Sequence, residues 1–483
     1  MLESRHFPVI VFAIALLARV FYSLLFPALP YNIDAAEYVI LGQSISEGNG
    51  LCYEAGHPTA YRLPLYPMFL SVFFFLFGDD CWTAIAIGES FVGAFAVLAL
   101  LFASSRLVGR RRPGAIAALI LAIYPPHIVL TRTYMTENLF SLLVVLCVLL
   151  LLKTFSDPSS RFDAVLAGIV LGLSWLCRPT LFLLVGIIPL WAVLAMGPEW
   201  GTRRLRLMRT AILIAAALAT LSPWVARNAM VMKAFIPLDT HGGATIWYQH
   251  NSLSEEGYFW SAIPQEGLIE IRRRINEQRR RLDAGESLRD VMLPIVLKGP
   301  MAGFEFLGGD LMANFGGLSE KARDEAFWDD AMSTIRRHPI RYFKKSAKEA
   351  VKFWHIFDDY GRFVGSYVFL LPFAAIGLLL FLYRRRYCGT MLYLSPLLCA
   401  WILGATVNAS HRFRLPFEPL MITFMGIFLD QTARSSTRTR VFFVAASAVY
   451  GGIVLFVFLY PETLRETIRA ISTWLGFSNY PVY

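Results

Sequence analysis

The chain has 483 residues, a formal net charge of +10 and a mean hydropathy of +0.52, with 56% hydrophobic residues. Soluble globular chains average about 45–50% apolar, so the composition excludes an ordinary soluble enzyme. The positive charge does not call for nucleic acid, because most arginines sit in short clusters between apolar runs, as orientation signals do.

Apolar runs long enough to cross about 30 Å of hydrocarbon recur along the sequence, predicting an all-α polytopic membrane protein. The first, Phe7 to Phe26, is too long for a signal-peptide core, lacks a small-residue cleavage site and reads as a retained span. Further spans are expected near 82–106, 114–130, 134–152, 162–177, 179–196, 209–227, 363–383, 388–407, 415–430 and 439–460, about 11–12 in all. The run 64–77 is short and carries Pro64 and Pro67, which suits a juxtamembrane or re-entrant helix. With the N-terminus in the cytoplasm, the clusters at Arg106–Arg112, Lys153–Arg161, Arg203–Arg209, Arg384–Arg386 and Arg434–Arg440 all fall on that side.

This topology divides the chain into a transmembrane module at 1–227, an extracytoplasmic and mostly helical segment at 228–362, C-terminal spans at 363–460 and an extracytoplasmic tail at 461–483. Within the long segment, 322–355 alternates apolar and charged residues at helical spacing. Such helices pack on each other or lie along a membrane surface. Cys52 and Cys81 both fall outside, either as a disulfide or as two free thiols.

Acids and arginines beyond the spans are the candidates for chemistry. Asp34, in Asp34-Ala35-Ala36-Glu37-Tyr38, follows the first span; it suits a general base, a ligand to a hard cation, or a helix cap with Glu37 three residues on. Glu137 sits at the outer mouth of a later span, as a second site carboxylate or a first-turn residue favoured by the helix dipole. Arg62, Arg178, Arg227, Arg412 and Arg414 lie on the outer side against the charge bias, so orientation does not explain them. A guanidinium binds phosphate oxygens bidentately and keeps its charge near lipid, so the five together predict an anion site.

Seven motifs in chain order resemble the polyprenyl-phosphate-sugar-dependent glycosyltransferases of the GT-C superfamily, especially the bacterial branch related to protein O-mannosyltransferases and lipid A aminoarabinose transferases. They are Asp34 to Tyr38, Arg62 to Pro67, Thr136 to Leu139, Trp175 to Pro179, Pro223 to Asn228, Gly242 to Asn251 and Arg412 to Pro416. The resemblance implies a GT-C fold with juxtamembrane helices in the first outer loop, a multi-pass protein of the inner or plasma membrane and an extracytoplasmic active site. It implies Asp34 as base, Glu137 as its partner, and Mg or Mn held by these two carboxylates. Arg62, Arg178, Arg227, Arg412 and Arg414 would hold the donor phosphate. Glu37, Tyr38, His57, Tyr61, Tyr66, His250 and Asn251 are the implied substrate contacts. The donor would be a sugar on a polyprenyl phosphate, and the acceptor a hydroxyl of a lipid, glycan or protein. Asp34-Ala35 departs from the Asp-Glu pair of the protein mannosyltransferases. A transporter or flippase, and a polysaccharide ligase or polymerase, are the competing readings.

Overall fold

A computed structural model describes residues 2–451 apart from 27–28, 157–160, 195, 197–199, 254–262, 299–316, 355–364, 384–386, 408, 439, 442–444 and 446–448. In chain order the helices are α1 (Phe7–Leu25), α2 (Ile33–Ser46), α3 (Leu65–Phe77), α4 (Trp82–Val108), α5 (Arg111–Ala122), α6 (Pro125–Val129), α7 (Glu137–Ser156), α8 (Arg161–Cys177), α9 (Leu184–Leu194) and α10 (Arg203–Val231). Then follow α11 (Gly242–Gln249), α12 (Gln265–Asp283), α13 (Leu288–Val296), α14 (Glu320–Arg337), α15 (Pro339–Lys352), α16 (Gly365–Leu382), α17 (Tyr387–Thr406), α18 (His411–Arg414) and α19 (Glu418–Arg434). The fold is that of an all-α polytopic membrane protein. Among the described residues five helices are long and apolar enough to cross a bilayer, or six when one bent pair counts as a span.

The expected spans from 7–26 to 415–430 each coincide with helix, whereas 439–460 lies largely, and the tail 461–483 wholly, outside the described residues. The expected span 114–130 is broken: α5 ends at Ala122, and Pro125 and Pro126 restart the chain at 55° to it. Arg19, buried in α1, holds the break. Its Nη1 donates to the carbonyls of Ala15 and Ala122 at 3.0 Å each, and its Nη2 to Leu121 O at 3.3 Å. A cation on the carbonyl end of a helix is favoured by the dipole. Arg19 is thus a helix-end contact.

Packing follows residue size. α4 sits between α1, α5 and α7, α8 packs on α7 and α10, and α19 on α5 and α16. Gly168 and Gly172 let α8 and α10 approach closely, for a Cβ there would strike Leu213 O and Thr220. Small residues at helix contacts are the usual means of close approach in lipid. Gly168→Leu should therefore cost about 1–3 kcal/mol by overpacking, read as a lower thermal midpoint in detergent; an unchanged midpoint would mean that this crossing is loose.

At the far end of the bundle from the Arg106–Ser156 contact, the first loop forms α2, α3 and a small antiparallel hairpin of β1 (Cys52–Glu54) and β2 (His57–Pro58). Run 64–77 is the 13-residue α3 packed on α2, as its length and prolines predict. Cys52 and Cys81 are free and buried. Above the loop, α11 rests on α14, where Gly243 N–H donates to Asp324 at 2.6 Å.

Candidate active site

Local sequence aims the charged groups. The Asn32 side chain accepts from Asp34 N–H at 2.8 Å and caps α2, so the cap is Asn32 and the Asp34 carboxylate remains available. Asp34 and Glu37, one helical turn apart, share Arg62. Its Nη2 meets Asp34 Oδ1 at 2.6 Å and its Nε meets Glu37 Oε2 at 2.5 Å. The rings of Tyr38 and Tyr61 flank the guanidinium at 5.3 and 5.2 Å.

Three later parts of the chain complete the cluster. Glu137 opens α7, Arg178 follows the end of α8 just before Pro179, and Arg412 lies in α18. Arg412 Nη2 binds Asp34 Oδ2 at 2.8 Å while its Nε reaches Glu137 Oε1 at 3.1 Å. Arg178 Nη1 meets the same Glu137 oxygen at 2.8 Å. Three carboxylates and three guanidiniums thus alternate in one chain, Glu37–Arg62–Asp34–Arg412–Glu137–Arg178. Alternation compensates the cost of burying each charge. Glu137 Oε2 is buried with no hydrogen-bond partner among the described residues.

The network opens into a cavity of about 640 Å³. Asp34, Tyr38, Arg62, Glu137, Arg178 and Arg412 form its charged side. Asp239, His241, Tyr248, Gln249 and Trp328 close it from the long segment 228–362, and Ala400 to Val407 of the α17 region form an apolar wall. His241 stacks edge-on against Tyr61 at 4.6 Å, and its Nδ1 is buried without a hydrogen bond among the described residues.

Burial alone would raise the Asp34 carboxyl, but Arg62 and Arg412 outweigh it and hold it well below the usual range. Because its folded value is depressed, this group adds stability above its ordinary pKa of 3.8 and loses it only as the pH falls further. Burial, with Arg62 beside it, lowers His241 to about 3, leaving a neutral imidazole. Burial raises Asp239 to about 6. Its stabilising contribution is complete below the ordinary 3.8 and disappears as the pH rises through about 6.

Several sequence candidates lie elsewhere. Arg227 does not reach the cavity: it donates to the Thr59 and Leu51 carbonyls at 2.8 and 3.1 Å and ties the first loop to α10. Arg414 is buried, donates to Phe353 O at 2.7 Å, pairs with Glu418 at 3.2 Å and lies over the Tyr367 ring. Glu37 and Tyr61 stand behind Arg62 rather than on the cavity wall. Tyr66 donates to Glu89 at 2.7 Å inside the bundle, and His57 is exposed on the hairpin. His250 stacks on Tyr342 at 4.9 Å, and Asn251 donates to Trp247 O at 3.0 Å. Sequence reasoning did not single out His241, Asp239 or Tyr248, although Tyr248 lies inside the Gly242 to Asn251 motif and His241 directly precedes it.

The two carboxylates named as cation ligands do not fit a cation as arranged. Both Asp34 oxygens carry a guanidinium, and Glu137 Oε1 carries two. Among the described residues no three His, Cys, Asp or Glu side chains gather in a metal-binding group.

Residues 57–226 match the family profile described as Dolichyl-phosphate-mannose-protein mannosyltransferase. No curated protein matches the chain significantly. Among solved structures, the apo oligosaccharyltransferase of Archaeoglobus fulgidus aligns with 94% of the chain at TM-score 0.54 and 15% identity. AglB of the same organism, in complex with an inhibitory peptide and a dolichol-phosphate, aligns with 94% at TM-score 0.54 and 16% identity. At such identity the likeness is one of fold, and the chain spans 55% of the length of either protein. ArnT from Cupriavidus metallidurans, bound to undecaprenyl phosphate, aligns at TM-score 0.42 and 15% identity over 89% of this chain and 79% of its own. Residues 57–226 therefore resemble the mannosyltransferase profile, and the chain shares its fold with the oligosaccharyltransferase, a likeness in line with the ordered motifs.

Proposed function

We propose that the protein transfers a sugar from a polyprenyl-phosphate donor to an acceptor hydroxyl, with inversion, on the extracytoplasmic side of the membrane. The observation that carries this reading is the convergence of Arg62, Arg178 and Arg412 with Asp34 and Glu137 in one cavity at a bundle end. The opposite end carries Arg106, Arg110, Arg112 and Arg434, basic residues expected of a cytoplasmic face.

A donor phosphate competes with Asp34 and Glu137 for the guanidiniums. As it draws Arg412 away, Asp34 Oδ2 becomes available to the acceptor hydroxyl. The hydroxyl oxygen bonds to the anomeric carbon while the bond from that carbon to the phosphate oxygen breaks. The electron pair leaves on the phosphate and the proton passes to Asp34. A carboxylate held so acidic serves because the attacking oxygen itself becomes strongly acidic as the new bond forms, so transfer falls late. The arginines stabilise the charge that grows on the leaving phosphate in a site poor in water. One carboxylate suffices, since the phosphate leaves without a proton. The resident side chains hold the phosphate and take the proton.

His241, Asp239 and Tyr248 face the sugar and acceptor half of the cavity. Ionised Asp239 accepts a sugar hydroxyl there, so activity should fall below a pH of about 6, and Asp239→Asn should abolish that limb. A limb that persists in the variant would assign it to another group.

The experiment is direct. Purified protein in nanodiscs is given polyprenyl-phosphate hexoses and pentoses, and release of polyprenyl phosphate and product configuration are followed. Release with inversion supports the reading. Passage of intact donor across the membrane would mark a transporter, and use of pyrophosphate-linked donors alone would mark a ligase.

A further inference from the structure

The amphipathic stretch read from the sequence contains one helix that the cavity does not use up. On α15, Ile340, Phe343 and Val351 are 71%, 74% and 64% exposed, and with Ala347 they form one stripe at helical spacing. Arg341, Lys344, Lys348 and Lys352 border this stripe, and the helix has a single acid, the buried Glu349. The other face is anchored. The Tyr342 ring meets His250 at 4.9 Å, Lys345 Nζ donates to Gln249 O, and Glu349 accepts from Ala409 N–H at 2.9 Å.

Its depth is set by a span. The indole of Trp401, in α17, donates to Ala350 O of α15 at 3.0 Å, and tryptophans concentrate where a span leaves the hydrocarbon. Water is a poor neighbour for a stripe of this exposure, and the basic border matches anionic headgroups.

We infer that α15 lies in the plane of the membrane surface, its Ile340–Phe343–Val351 stripe entering the leaflet at the cavity end and its basic border holding anionic phospholipid headgroups. Lys345 then ties that surface to Gln249, which lines the cavity, and holds the arginines at headgroup height. The inference does not depend on the transfer reading.

The test places an environment-sensitive NBD probe at Phe343→Cys and, separately, at Val351→Cys in nanodiscs of phosphatidylcholine with or without phosphatidylglycerol; probe-treated wild type supplies the background. Both probes should emit at blue-shifted wavelength and be quenched by doxyl-labelled lipid, more strongly with phosphatidylglycerol. Lys344→Glu should remove that anionic increment. An NBD at position 343 quenched by aqueous iodide and not by doxyl lipid overturns the in-plane placement, even if the probe at 351 is lipid-quenched. Shielding from both quenchers overturns it in favour of a protein partner. Equal quenching in the two lipids overturns the headgroup contact.

Discussion

Asp34→Asn should lower the turnover number by about 10²–10⁴, the usual contribution of a positioned proton acceptor, while leaving donor binding equal or tighter. The split follows from the network. Amide replacement keeps the shape of the side chain but removes the carboxylate that competes with phosphate for Arg62 and Arg412. Neither guanidinium is left without an acid, because Arg62 keeps Glu37 and Arg412 keeps Glu137. The fold should therefore survive, and titration with a polyprenyl phosphate would read the donor side independently of turnover. Full activity in the variant would remove Asp34 from the chemistry; lost binding together with lost turnover would make it a positioning residue.

The second large effect is expected at Arg412. Through Nη2 and Nε it touches Asp34 and Glu137 at once, a span that the point charge of Lys does not reproduce. Arg412→Lys should cost about 2.7–4 kcal/mol of transition-state stabilisation, or 10²–10³ in rate, the range for a donor aimed at a developing oxyanion. Arg227→Lys and Arg414→Lys supply the contrast. Both residues hold backbone carbonyls outside the cavity, so these variants should lower thermal stability and leave the donor affinity of the folded fraction near wild type. Kinetics measured beside melting curves separates the three arginines. A loss of donor affinity at Arg227 or Arg414 as large as at Arg412 would contradict the geometry.

The helical runs from 7–26 to 415–430, the short helix within 64–77 and the meeting of Asp34, Arg62, Glu137, Arg178 and Arg412 were legible because each has a local cause. Long apolar runs must be helical in lipid, prolines end helices, and charge beyond a span demands a reason. Other features depend on tertiary contacts that spacing does not encode. Arg227 and Arg414 share the residue type and sidedness of Arg412, and only packing shows that carbonyl groups claim them. The break between α5 and α6 is signalled by Pro125-Pro126, but its stabiliser, Arg19, comes from a helix 103 positions earlier. His241 carried no motif of its own; its place beside Tyr61 comes from the return of the long segment 228–362 over the first loop. That same return carries Thr240 to Glu320 and Thr59 to the same carboxylate.

On the proposed mechanism a lipid-borne phosphate takes the place of the carboxylates on these arginines. This exchange is tested most directly by a structure of the protein in a lipid nanodisc with a bound polyprenyl monophosphate. Phosphate oxygens should lie within hydrogen-bond distance of Arg412 and at least one of Arg62 and Arg178, with Arg412 withdrawn from Asp34 Oδ2. A phosphate bound outside the cavity, with the Asp34–Arg412 pair intact, would contradict it.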